Sequence, residues 1–479
     1  MLFNSFAFAV FLPIVFILYW SLPHKFRWIL LLAASYYFYM SWNAKYVFLI
    51  LFTTFISYLA ARLLEKESHP KRKNWILAGA AIICLGVLFF FKYFNFVSES
   101  VAILLNMFTL QLSPITLQLI LPVGISFYTF QTLSYVIDVY KGDISAEHHF
   151  GKYAVFISFF PQLVAGPIER TDNLLPQLKR KHEFDYYQAT YGLKLMAWGY
   201  FKKLMIADAL SQYVSRVYDT PQSFQGFSLV LATVFFTIQI YCDFSAYSDI
   251  AIGTAKLLGI DLMTNFKSPY FSQSIKEFWS RWHISLSTWF RDYVYIPLGG
   301  NRTGKIRHAL NLIITFLVSG LWHGANWTFV VWGGIHGLAQ AFENLLIPKT
   351  HQKSNGIVRF IRVAIIFAFC SFAWIFFVSN SIGDAFYVIG HLFDNITSPI
   401  TYLHDGFTAI DMGKKSLVIM LLYILLLSTY DLISLKYDVI NVISDQKIII
   451  RWGIYVCLLL IIIFFSQKGI GAEFVYFQF

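Results

Sequence analysis

Apolar residues gather in runs of eleven to twenty-one positions, and the runs recur from one end of the chain to the other. They fall at 2–20, 28–39, 46–59, 75–91, 119–139, 153–165, 191–210, 227–241, 311–321, 327–346, 358–378, 416–435 and 448–466. None alternates strictly between apolar and polar positions, which separates them from the ~10-residue alternating strands of a membrane β-barrel. A helix needs about 20 apolar residues to cross a bilayer. The pattern therefore predicts an all-α polytopic membrane protein with roughly 11 transmembrane helices plus re-entrant and in-plane helices. The short runs 153–165 and 311–321 read as re-entrant or discontinuous helices, which survive at membrane depth only inside protein or along a wet cavity.

Composition agrees. The chain is 57% hydrophobic and 13% charged, with mean hydropathy +0.59, against about 25% charged residues in a soluble domain. The first run lacks a basic start and a small-residue cleavage site before Trp20, so it is expected to remain as a span and not to act as a signal peptide. Basic residues cluster in the loops after the first and third runs: Lys25 and Arg27, then Arg62, Lys66, Lys71, Arg72 and Lys73. The positive-inside rule places both loops in the cytoplasm and the N-terminus outside. Lys179 to Lys181, Arg302, Lys305, Arg307, Lys349, Lys353 and Arg359 fall on the same side. The net charge of +11 is thus mostly topology, with a secondary pull on anionic cytoplasmic ligands. No basic stretch is interleaved with aromatics as a nucleic-acid surface requires. Cys84, Cys242, Cys370 and Cys457 stand apart in apolar surroundings and read as small buried hydrophobes.

One membrane domain spans 1–479, with no linker or repeat. Polar residues embed within apolar segments from about 121 to 337, the expected catalytic core. The flanks 1–115 and 358–466 are nearly pure Leu, Ile, Val and Phe, and read as scaffold. Polar groups in lipid must find partners, so their concentration implies an internal polar cavity.

Two histidines dominate that core. His323 lies in Gly320-Leu321-Trp322-His323-Gly324-Ala325-Asn326-Trp327, where one helix breaks and Trp327 begins the next. Asn326 is placed to hold one imidazole nitrogen and so fix the tautomer. His283 lies in Trp279-Ser280-Arg281-Trp282-His283-Ile284-Ser285. There residues 274–290 read as one in-plane amphipathic helix, with Trp279, His283, Leu286 and Phe290 on one face. Six of the thirteen tryptophans fall within 274–290 and 311–337, which argues for a single site. His336, thirteen residues after His323, reads first as a core histidine. Asp243 and Asp249 flank Ser245 just beyond an apolar run, with Arg281 or Arg291 as the expected ion-pair partner; contact with substrate is the other reading. Residues 160–170, with two prolines and a glycine, predict a re-entrant turn on the cytoplasmic side. Residues 123–131 form a polar stripe. Ionisable side chains at bilayer depth mark functional sites by default.

Absences narrow the chemistry. The chain has no GxxxxGK[ST], HExxH or G-x-S-x-G motif, and no His followed five residues later by Asp. Histidines without a serine nucleophile or metal-ligand spacing suit general-base catalysis. Pumps also use intramembrane His, Asp and Arg, so a proton-coupled transporter is the alternative. The inverted repeats common among transporters are missing.

The segments 121–142, 159–170, 241–259, 265–302 and 319–337 resemble the membrane-bound O-acyltransferases, in the branch of the alginate O-acetyltransferase membrane subunit. They keep the family order, and the pairing of Trp-His-Ile-Ser-Leu-Ser with Leu-Trp-His-Gly-Ala-Asn-Trp is its most specific part. The resemblance implies that family's fold, helices around a central funnel. It implies catalysis by His323, with His283 as the second functional position; Trp322, Asn326, Trp282, Arg281, Asp243 and Ser245 are the candidate substrate contacts. It further implies acetyl-CoA as a cytoplasmic donor without a metal, and a hydroxyl of an extracytoplasmic polysaccharide such as alginate as acceptor. An SGNH-like transferase is the implied partner. A D-alanyl-transferring teichoic-acid branch shares the histidines, so D-alanyl or another acyl group, and a cell-wall polymer, protein or lipid acceptor, stay open.

Overall fold

In a computed structural model, residues 1–108, 112–302, 304–346, 355–465 and 474–475 are described. Lys349, Lys353 and Ser466 fall outside them. Helices, including short 3-10 and π turns, are the regular structure of the described residues. Six segments are long and apolar enough to cross a membrane: Ala44–Lys66, Pro70–Asn106, Phe227–Leu257, Gly356–Val378, Lys414–Ser434 and Ile448–Phe465. Phe6–Ser21 is a shorter apolar helix. The remaining helices of the expected eleven are short or carry polar residues within them.

The chain divides into two compact units, Met1–Met196 with Ile250–Met263, and Ala197–Asp249 with Thr264–Phe479. In the first, short connections join helices Phe6–Ser21, His24–Met40, Val47–Lys66 and Pro70–Leu88, the last running on through a π turn to Asn106, and helix Ile125–Lys141 follows after an irregular stretch. The run 119–139 is not one helix: 112–122 lacks regular structure, and helix begins at Ile125. The physical cause is Gly124 at φ 76°, where a Cβ would crowd the Leu163 carbonyl oxygen; only glycine takes that conformation without strain. The polar stripe on the helix is buried, with Gln131 Nε2 donating to Phe156 O at 2.9 Å. Hydroxyls also bond between helices, as where Tyr153 donates to Ser57 Oγ at 2.7 Å. Residues 153–165 are indeed discontinuous. Helix Phe150–Ser158 ends before Pro161, and turns lead to helix Thr171–Lys179. Glu169 in that connection is buried and accepts from Met263 N–H and Asn173 Nδ2.

The second unit holds the large aromatic core, with Trp282, Trp332 and Trp374 fully buried. Run 191–210 becomes helix Tyr186–Phe201, a π turn Lys202–Ala207, and helix Asp208–Tyr218. Run 311–321 is corrected from a short re-entrant piece to the nineteen-residue helix Lys305–His323. Its first turns are basic, which hid them from a hydropathy pattern. Inside it Asn311 Nδ2 donates to Gly300 O at 3.0 Å, and Thr315 Oγ1 to Asn311 O at 2.6 Å. The chain then returns as helix Trp327–Leu346. These two helices lie antiparallel and close: a Cβ on Gly320 would overlap the Phe329 carbonyl oxygen, and one on Gly333 that of Phe316. Small residues allow such backbone approach where packing drives helix association.

Candidate active site

His323 is the last residue of its helix and 4% exposed. The helix stops there because Gly324 takes extended backbone. Its ring lies 5.0 Å from Trp322, 5.1 Å from Trp332 and 5.5 Å from Phe377, all edge-on. His283 is fully buried, and its ring centre is 6.3 Å from that of His323. Two segments forty residues apart in sequence thus deliver one pair of imidazoles.

His283 reaches this place by a break, not along a smooth helix. The expected single helix 274–290 is two: Ile275–Arg281 and Ile284–Phe290. His283 sits between them at φ 43° and ψ 54°, a left-handed conformation that is uncommon and strained for a non-glycine residue. Asn265 holds the break. Its Oδ1 accepts from Ser285 N–H at 3.1 Å and Ser285 Oγ at 2.6 Å, while its own carbonyl accepts from Ile284 N–H at 3.0 Å. Sequence reasoning passed over Asn265; its burial at 0% exposure is visible only in the fold. Phe244 packs edge-on against the His283 ring at 4.6 Å.

The other expected site residues separate into groups. Trp322 flanks both histidines, 6.2 Å from His283. Trp282 is buried and packs on Phe278 at 5.5 Å and Trp374 at 5.2 Å. Asn326 does not hold His323: its Oδ1 accepts from Thr328 N–H at 3.1 Å and its Nδ2 donates to Asn380 O at 3.1 Å. Capping the return helix uses its side chain.

The expected Asp–Arg pairs are also corrected. Arg281 pairs with Glu277 at 2.6 Å and Arg291 with Asp292 at 2.7 Å. Asp243 pairs with Lys203 at 2.5 Å, and Lys203 also reaches Asp208 at 2.9 Å. Lys202 bridges Asp249 at 2.8 Å and Ser245 Oγ at 2.7 Å. These two lysines escaped notice inside an apolar run. The π turn carries them into the unit, since its extra residue redirects side chains. Tyr241 adds a hydrogen bond to Asp431 at 2.8 Å. Near the C-terminus, Val475 N–H donates to Asp243 at 2.6 Å, and the Phe474 ring lies 4.2 Å from Lys203 Nζ. Among the described residues no group of three or more His, Cys, Asp or Glu is arranged to hold a metal.

Two neighbouring imidazoles buried among aromatic rings can do acid–base chemistry, and the same unit also holds a buried ionic network. Comparison with known proteins shows the family. The model of a family described as "MBOAT, membrane-bound O-acyltransferase family" matches residues 143–383. A probable alginate O-acetylase of Pseudomonas aeruginosa is 36% identical over 431 residues, covering 88% of this chain and 81% of that protein. A peptidoglycan O-acetyltransferase of Helicobacter pylori is 34% identical, covering 81% and 79%. A teichoic acid D-alanyltransferase of Streptococcus thermophilus is 29% identical over 250 residues, 47% of this chain and 57% of that one.

Proposed function

We propose a specific reaction for this chain, which belongs to the membrane-bound O-acyltransferase family: transfer of acetyl from acetyl-CoA to a hydroxyl beyond the membrane. That it is a multi-pass membrane acyltransferase follows from membership and its apolar helices, which settles transfer over transport. The observation that carries the finer reading is the buried histidine pair at 6.3 Å between ring centres, close enough for one small group to touch both rings.

His323 takes the proton of the acceptor hydroxyl as its oxygen attacks the thioester carbonyl. The tetrahedral intermediate collapses, the C–S bond breaks, and the imidazolium returns its proton to the departing thiolate. An ester and a free thiol result. His283 orients the thioester or stabilises the developing oxyanion. The aromatic walls keep out water, which favours transfer over hydrolysis.

The acetyl group is favoured over D-alanyl because the O-acetyl-transferring relatives match over most of the chain and the D-alanyl-transferring one over about half. The acceptor is an extracytoplasmic polysaccharide such as alginate, reached through an SGNH-like partner transferase. The membrane is a bacterial inner membrane, with the donor on the cytoplasmic side and the N-terminus outside. The test is release of free CoA and capture of radiolabel from acetyl-CoA by purified protein in liposomes, with and without the partner and polymer. Label on the polymer only when the partner is present is the expected result. Full labelling by this chain alone overturns the partner, and turnover with D-alanyl thioester but not acetyl-CoA overturns the acetyl assignment.

A further inference from the structure

On the return helix Trp327–Leu346, Thr328, Trp332, His336 and Gln340 recur at every fourth position. They share one face and follow each other about 6 Å apart along the axis. Thr328, Trp332 and His336 are each 0% exposed. Thr328 Oγ1, Trp332 Nε1, His336 Nε2 and Gln340 Oε1 are all buried without a hydrogen-bond partner among the described residues. One such atom costs about 1–3 kcal/mol, and each asks for an explanation. A row of four at helical spacing asks for a common one.

The chemistry of the row is defined. Trp279 Nε1–H donates to His336 Nδ1 at 3.3 Å, so the neutral imidazole carries its proton on Nε2. Trp332 and His336 are therefore donors, and Gln340 Oε1 is an acceptor. Thr328 stands in the first turn, where a hydroxyl lacks a helical carbonyl four residues back to bond. The Trp332 ring lies 5.1 Å from both His323 and His336, so the row begins at the catalytic pair. Gln340 is the least covered of the four. At that end the antiparallel helix Lys305–His323 starts with exposed Lys305 and Arg307.

We propose that this face is a hydrogen-bonding track for the pantetheine arm of the thioester donor. The arm is an extended chain whose thioester carbonyl is followed by two amides, spaced by two-carbon links at close to one helical turn. Trp332 donates to the thioester carbonyl, His336 to the first amide carbonyl, and Gln340 accepts the N–H of the second amide. Thr328 faces the transferred acyl group. Lys305 and Arg307 meet the phosphates. The inference rests on the thioester-donor reading, and assigns His336 a place that the histidine pair alone does not.

The experiment compares acetyl-CoA with S-acetyl-N-acetylcysteamine, which keeps the thioester and first amide and lacks the second. Gln340→Leu is expected to raise KM for acetyl-CoA on the order of tenfold, the worth of one hydrogen bond, and to leave KM for the short thioester and both kcat values unchanged. His336→Phe is expected to raise KM for both donors. Thermal unfolding in detergent confirms that each variant folds. Equal changes on both donors in Gln340→Leu, or no change on either, overturn the track. A wild type that turns over neither thioester overturns the donor reading itself, a failure recognisable because it does not depend on the variants.

Discussion

The two compact units handle polar groups in opposite ways. In the unit built from Met1–Met196 and Ile250–Met263, many interior polar side chains are neutral and bond to what lies beside them. Tyr153 bonds Ser57, Gln131 bonds Phe156 O, and Tyr135 accepts Glu147 N–H at 2.8 Å. Its buried carboxylates, Glu147 and Glu169, sit in loops just before short helices and accept backbone N–H groups. The other unit buries Lys202, Lys203, Asp208, Asp243 and Asp431 together with His283, His323 and His336. Charges and imidazoles inside an apolar body are retained when they have work to do or are locked to each other. The first unit buries mostly neutral polar side chains; the second concentrates the buried lysines, aspartates and imidazoles.

The largest expected effect breaks the comparison at its centre. His323→Ala should lower acetyl transfer by about 10²–10⁴-fold while thermal unfolding in detergent stays as in the wild type. A large loss of stability with modest loss of turnover would instead make the imidazole structural and erase the distinction between the units.

Next comes the ionic network. Lys203→Met leaves Asp208 and Asp243 facing each other without their shared cation. Removing one member of such a buried pair costs about 3–5 kcal/mol. The unfolding temperature should fall accordingly, and adding Asp208→Asn and Asp243→Asn should recover most of it. If the triple variant is no more stable than the single one, the network is not the source of the loss.

A smaller effect is expected at the helix pair that presents His323. Gly320→Ala puts a methyl group into the Phe329 carbonyl oxygen, and overpacking of this kind costs about 1–3 kcal/mol. The histidine helix must shift, so turnover should fall along with stability. Unchanged turnover would show that the site tolerates displacement of its main support.

The smallest effect sharpens the scaffold side. Burial pushes the Glu169 carboxyl up from 4.5 to about 7, against the lowering influence of its bonds from Met263 N–H and Asn173. The folded state therefore prefers the protonated form. Its contribution is fully present below pH 4.5 and lost as pH rises through about 7. Unfolding temperature should decline over that window in the wild type and lose this component in Glu169→Gln, with acyl transfer at fixed pH little changed. Parallel profiles for the two proteins would refute the assignment.

Much of the architecture was legible along the chain because a bilayer punishes any backbone that is not helical and any segment that is not apolar. Runs 46–59 and 358–378, and residues 416–434 and 448–465, all appear as helices. The break after His323 was readable from Gly324 and Trp327, and the discontinuity near Pro161 from its prolines and glycine. Legibility failed where a local rule was overridden from a distance. Lys202 and Lys203 went unnoticed inside an apolar run because their partners Asp249, Asp208 and Asp243 come later in sequence. Asp243 and Asp249 were matched with Arg281 or Arg291, although the sequence already sets Glu277 one helical turn before Arg281 and Asp292 directly after Arg291, and those nearer pairs form. Residues 274–290 carry a smooth helical period, yet Asn265 pins a break at His283.

Sequence by itself thus determined the membrane class, many of the helices, and the two motifs that hold His283 and His323, since all of these depend on composition, periodicity and nearest neighbours. Tertiary structure alone decided that the two imidazoles stand 6.3 Å apart between ring centres, that His283 adopts a left-handed backbone, and which lysine answers which aspartate. Those outcomes follow from close packing and from the need of every buried charge to find an opposite one. Both conditions are met through space, between residues that no local pattern links.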